Sequence, residues 1–117
     1  MTTAIVMIGL ATFYAPGVME RVADYRHLTT ACPECIGYAA MIEPAMIGQR
    51  IWITRIGQRP EGPFLVVDCG QAEHRARQRQ RGLVVEVDHQ TAQRWRMHGG
   101  LTVRVSTRGG LPAGAIP

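Results

Sequence analysis

Five apolar runs of strand length set the terms for this chain: Ala4–Tyr14, Arg50–Ile56, Phe64–Cys69, Leu83–Asp88 and Leu101–Ser106, most of them bounded by Gly or Pro. Within them the two-residue period of a strand assigns faces. Leu83, Val85 and Val87 fall on one side of their run, with Val84, Glu86 and Asp88 on the other. Phe64, Val66 and Asp68 share a side, opposite Leu65, Val67 and Cys69. Runs that are apolar on both sides suit strands covered on both faces, as in a small closed barrel or a sandwich. The chain has 117 residues, which suits one domain and can support a core without metal or disulfide staples. One domain is expected over 1–107, followed by a tail over 108–117.

Helical signals are sparse. Asp88 is a suitable N-cap for a helix over about 89–97 that Gly99 and Gly100 would stop, with Ala92 and Trp95 facing the core. A turn or two is expected around Val18–Tyr25, where Val18, Val22 and Tyr25 make a stripe. The stretch Thr29–Gly48, with Cys32-Pro33-Glu34-Cys35 and Glu43-Pro44, reads as an ordered loop with short turns. Arg75, Arg77, Arg79 and Arg81 alternate with Gln78 and Gln80 after His74, the pattern of a solvated loop or of a polyanion-binding patch. The tail lacks any pattern and either frays or docks on a neighbour.

Hydrophobic residues at 46% and charged residues at 19% are globular proportions, which excludes a disordered chain. The longest apolar run, Ala4–Ala11, is too short to cross a bilayer, so no transmembrane segment is expected. No signal-peptide pattern opens the chain. All 13 basic residues are arginine and the formal charge is +4, which favours anionic partners. A GC-rich genome or a thermophile's hot habitat would each give that bias. No aromatic interleaves the arginine run, which argues against a nucleic-acid platform and ranks that class last. No phosphate loop and no GxSxG elbow is present.

Taken in order, several motifs resemble the double-psi β-barrel of expansins, barwin-type proteins and the rare-lipoprotein-A group of bacterial wall proteins. Gly9-Leu-Ala-Thr12-Phe-Tyr14 resembles the A-T-F-Y opening strand of expansins. Ile47-Gly48-Gln-Arg-Ile51-Trp-Ile53 is similar to the wall proteins' P-F-G-T-x-V-x-V strand. Gly62-Pro63-Phe-Leu-Val-Val-Asp68-Cys69-Gly70 resembles V-x-V-x-D-R-G. Gly82-Leu-Val-Val-Glu86-Val87-Asp88-His-Gln-Thr91-Ala92-Gln-Arg-Trp95 resembles the strand-to-helix segment x-D-L-S-x-x-A, and Val103-Arg104-Val105 the last strand. The match spans about residues 9–105. Two positions depart from it: Glu86 stands for the second aspartate, and Cys69 for the arginine of D-R-G.

The resemblance implies a mostly β, six-stranded double-psi barrel with one clear helix. It further implies a groove whose catalytic pair is Asp68 and Glu86, with Asp68 the acid/base, and with Thr12 and Tyr14 contacting a glycan; Trp52, read from its residue type, is either a sugar-stacking platform or a core residue. Such a pair serves glycoside chemistry, where one carboxyl must hold a proton for the leaving oxygen. The plainer readings are a turn-capping Asp68, a surface-paired Glu86, a core Trp95 and an Asp88 that only caps its helix. Cys32, Cys35, Cys69 and His74 are also a loose zinc set. Because related extracellular barrels are often cross-linked, a Cys32–Cys35 disulfide, or one from that pair to Cys69, is favoured over it, and neither metal nor cofactor is expected. The expected function is binding, with or without lytic-transglycosylase or hydrolase-like cleavage, of cell-wall peptidoglycan or polysaccharide outside the cell or in its envelope. The alternative is a structural barrel of an assembly, such as a phage virion or tail component or a surface filament, with the tail meeting a homo-oligomer or assembly partner.

Overall fold

A computed structural model describes residues 4–109, so residues 110–117 of the expected tail lie outside the described part. The chain folds into a closed, mostly β, six-stranded barrel. In chain order the elements are β1 (Val6–Phe13), α1 (Val18–Tyr25), β2 (Gly37–Met41), a 3₁₀ turn (Pro44–Met46), β3 (Arg50–Arg55) and β4 (Glu61–Cys69). A 3₁₀ turn (Ala72–His74), α2 (Arg75–Gln80), β5 (Leu83–Val87), α3 (His89–Arg94) and β6 (Leu101–Ser106) follow. Around the ring the strands run β1-β5-β2-β4-β3-β6. β1·β5 and β2·β4 are parallel, while β1·β6, β3·β4, β2·β5 and β3·β6 are antiparallel. Exchanging β1 with β4, β2 with β5 and β3 with β6 returns the same ring and the same pair directions, so the two halves of the chain are interlocked and related by a pseudo-twofold.

All five expected strands form. The sixth, β2, falls inside the stretch expected to be a loop. Its Ala39, Ala40 and Met41 are buried, and burial between β4 and β5 outweighs the weak strand propensity of alanine. The barrel is filled by Ala11, Ala39, Ile51, Ile53, Phe64, Val66, Val85, Val87, Val103 and Val105. A second cluster lies outside the ring, where Met19 and Ala23 of α1 cover Ala40, Leu65 and Val67, with Cys32 beside them. The face α1 buries is therefore Met19 and Ala23 rather than the expected stripe, and Tyr25 is exposed. Cys32 and Cys35 form a disulfide and Cys69 is free, which removes two of the four ligands of the zinc alternative.

The arginine-rich segment is the helix α2, not a loop. It carries no apolar stripe, and its inward side is the polar pair Arg75 and Gln78. α3 ends at Arg94, earlier than the expected 97, because Arg96 turns left-handed at φ 55° while Arg96 N–H and Met97 N–H donate to the Gln93 and Ala92 carbonyls. Two helix ends close this way without glycine: His27 (φ 58°) does the same after α1. Among the described residues no helix is long and apolar enough to cross a membrane.

Asp88 caps α3 as expected and also fastens it to the ring. One carboxylate oxygen accepts from Thr91 N–H at 2.9 Å and the other from Tyr38 N–H of β2 at 2.9 Å. Trp95 is buried against Phe64 edge-on, and its indole N–H donates to Glu61, which Arg55 and Arg94 also hold. Replacing Asp88 orphans two backbone donors at a residue only 3% exposed. Asp88→Ala is expected to cost about 2–3 kcal/mol, the sum of a lost cap and an unsatisfied buried donor. Urea unfolding checks this by a lowered midpoint at unchanged slope.

Candidate functional site

Four register positions build the site. Thr12 of β1 lies opposite Glu86 of β5; Glu86 lies opposite Ala40 of β2; Ala40 lies opposite Asp68 of β4. They form one row across four neighbouring strands, each step about 4.8 Å. Ala40 at the middle is buried with Met19 and Ala23 of α1, so the two carboxyl positions flank a small apolar side chain. Asp68 belongs to this outward row because the β2·β4 register slips between Ala39, opposite Val66, and Ala40, opposite Asp68. Val67 is the extra residue, a β-bulge that reverses the alternation after it. The two-residue period alone puts Asp68 on the side of Phe64 and Val66, which face the barrel interior. The bulge corrects that placement.

Two donors reach Asp68 from outside the sheet. Tyr14, just past the end of β1, donates its hydroxyl to Oδ2 at 2.8 Å, and Arg26, at the C-terminal end of α1, donates Nη2 to Oδ1 at 3.2 Å. Burial raises the Tyr14 phenol far above its ordinary value, and the hydrogen bond to Asp68 and the charges of Asp68 and Glu86 push the same way. The phenol therefore stays protonated and acts as a donor. Glu86 is also raised, first by burial and then by the charge of Asp68, against the Thr12 hydroxyl that donates to it and the positive charge of Arg81. Two carboxyls thus share a cleft in different environments. Asp68 is an acceptor for two donors; Glu86 is the one whose burial favours the protonated form.

The cleft has a volume of about 590 Å³. Tyr14, Arg26, Asp68 and Glu86 line it from the barrel and α1, and His74, Arg75 and Gln78 from the α2 side. No protein-family model matches the sequence, and no curated protein matches it. Cys69 lies in the cleft wall beside Asp68.

Of the five residues expected at the site, the structure brings four together. Asp68, Glu86 and Tyr14 line the cleft, and Thr12 holds Glu86 from the neighbouring strand. Trp52 is elsewhere. It sits on β3 with its ring against the backbone of Gly62 and Gly109, where added Cβ atoms would fall 2.5 Å and 2.3 Å from ring carbons. Its ring packs between glycines, and it is no stacking platform for this cleft. The sequence marks His74, Arg75 and Gln78 only as part of a solvated loop or a polyanion-binding patch, not as members of the groove, and Arg26 not at all; the three-residue spacing of Arg75 and Gln78 is a helical interval without any apolar residue to mark it.

The opposing influences on Glu86 give a signed test. Its carboxyl, followed by NMR, is expected to titrate above the ordinary 4.5. Asp68→Asn lowers that midpoint by removing a like charge; Thr12→Val raises it by removing a donor to the ionised form. Since the folded value is raised, the stability Glu86 contributes is present below the ordinary glutamate range and is lost as pH rises through its own value. Wild-type protein therefore loses stability relative to Glu86→Gln over that rise. Equal pH profiles of the two unfolding midpoints would contradict the assignment.

Proposed function

We infer that this chain is a double-psi-type barrel, similar to expansin and rare-lipoprotein-A domains, that binds a cell-wall glycan strand in the cleft and cleaves it with Glu86 as the proton donor. The observation that carries the reading is the single outward row in which Glu86 and Asp68 flank Ala40 and open on one cleft. Glycosidic bonds break when a protonated carboxyl gives its proton to the departing oxygen while positive charge grows on the sugar ring. Glu86, raised by burial, supplies the proton. Asp68 offers negative charge near the ring and is held in place by Tyr14 and Arg26. In the lytic variant the bond from the anomeric carbon to the leaving oxygen breaks as Glu86 protonates that oxygen, a hydroxyl of the sugar that keeps the anomeric carbon forms the new C–O bond within its own ring system, and the hydroxyl proton returns to the Glu86 carboxylate. No water is consumed, and one acid/base group closes the cycle. This reverses the expected division of labour, in which Asp68 was the acid/base. The proposed working place is the cell envelope or its exterior, on peptidoglycan or a related polysaccharide.

Purified sacculi and soluble wall glucans test the reading. Soluble sugar release is expected from wild type, with a loss of about 10²–10⁴-fold in Glu86→Gln. Glycan pull-down should persist in that variant, because amide for carboxyl keeps the shape. Neither release nor pull-down by wild type would end the proposal.

A second reading has its own observation. Ile5, Val6 and Ile8 at the start of β1 and Ile56 after β3 are exposed, an apolar surface of the kind an assembly covers. Under the structural reading, as a virion, tail or filament barrel, the mass from light scattering rises with concentration and Ile8→Glu returns it to the monomer. A constant monomer mass removes that reading.

A further inference from the structure

The cleft has an acidic floor and a basic wall, and one cation of the wall is unmatched. Arg26 pairs with Asp68, Arg50 with Glu34, Arg79 with Glu43, and Arg55 and Arg94 with Glu61. Arg75 has no carboxylate partner among the described residues, although it is only partly exposed and lines the cleft. Its Nε donates to the Gly70 carbonyl at 2.9 Å, which fixes the plane of the guanidinium by one corner. The terminal nitrogens, the fork that grips a carboxylate with two parallel hydrogen bonds, remain available. Beside it, Gln78 has a buried Oε1 with no hydrogen-bond partner, a second unfilled polar position on the same wall.

Gly70 lets Gln78 pack this closely, since a Cβ there would fall 2.2 Å from Gln78 Oε1. The carboxylates of the protein stand on the strand row, and the fork stands on α2, across the cleft from them. A ligand that is neutral over Glu86 and negative toward α2 satisfies both sides. A uniformly neutral sugar leaves the fork unused, and a densely charged polymer meets Asp68 and Glu86.

We propose that Arg75 is a subsite for a carboxylate carried by the bound glycan, so that the cleft selects strands bearing acidic sugars; this rests on the glycan reading above. Two sources carry such a carboxylate: the ring itself, as in a uronic acid, and a lactyl ether on it, as in muramic acid. Both offer the fork the same two oxygens.

Calorimetric titration with defined oligosaccharides separates the possibilities. The probes are oligogalacturonate, its methyl ester, a peptide-free strand of alternating N-acetylglucosamine and N-acetylmuramic acid, and neutral chito-oligosaccharide. Wild type is expected to bind at least one acidic probe about tenfold tighter than its neutral counterpart, and the preferred acid identifies the source of the carboxylate. Arg75→Gln removes the preference while leaving affinity for the neutral probe; Arg75→Lys keeps the charge but restores only part of it. Arg77→Gln, on the exposed side of α2, leaves the preference intact and excludes a bulk-charge effect. Thermal unfolding of each variant shows whether it is folded, and the lysine variant carries the test should the glutamine variant not be. Equal binding of acidic and neutral probes by wild type, or a preference that survives in both Arg75 variants, overturns the subsite while leaving glycan binding standing. Binding of none of the four overturns both.

Discussion

The register slip at Val67 is the constraint on which the site depends. A strand alternates its side chains without exception until a bulge inserts an unpaired residue. β4 enters the sheet with Phe64 and Val66 pointing into the barrel and Leu65 and Val67 pointing outward under α1. Continued by one more step, the alternation would bury Asp68 in the apolar interior, where an unpaired carboxylate is costly. The slip instead carries Asp68 to the outer side, in line with Ala40 and Glu86, where Tyr14 and Arg26 meet it. Core and site are therefore two consequences of one register: the residues before the bulge fill the barrel, and the residue after it is released for polar chemistry.

That dependence explains which parts of the molecule can be read from the sequence. Glu86 follows a strand segment with no slip between Val85 and Val87, and its outward placement is legible by counting. Asp88 and Trp95 are legible for a similar reason, because capping and burial of a short helix are settled within a few residues. β2 is not, because its sequence, Gly-Tyr-Ala-Ala-Met, lies between two proline-containing turns and becomes a strand through burial by neighbours from distant segments. α2 escapes the same way. A helix usually announces itself by an apolar stripe, and this one turns Arg75 and Gln78 toward a cleft instead. The ends of α1 and α3 are hidden too, since His27 and Arg96 take the left-handed position that glycine would have marked.

Sequence also presents Asp68 and Glu86 as an interchangeable acidic pair, with Asp68 the better match to the motif. The structure distinguishes them by neighbours rather than by residue type. Two donors from the β1 end and from α1 converge on Asp68, whereas Glu86 has one hydroxyl from Thr12 and is raised by burial. Like charges in one cleft push protonation onto the less well solvated member. Chemical asymmetry arises here from a nearly symmetric scaffold, for β2 and β5 exchange under the pseudo-twofold while α1 and α2, which also exchange, bring different residues to the cleft.

The same asymmetry bears on what the cleft can accept. Arginine is the sole basic residue type of this chain, and Arg26, Arg50, Arg55, Arg79 and Arg94 are each held by a carboxylate. A paired guanidinium is spoken for; its field is largely cancelled at the distance of a ligand. Arg75 differs because its anchor is a neutral carbonyl, so its full charge is directed into a partly enclosed space where screening by water is reduced. Facing it across the cleft, Asp68 retains its own cation in Arg26 and Glu86 is raised toward the neutral form. The floor is thereby less negative than two carboxyl groups suggest, and the wall more positive. A ligand entering this space meets a field gradient fixed by the backbone of β4, β5 and α2, and orientation along a glycan strand follows from that gradient before any sugar-specific contact is made.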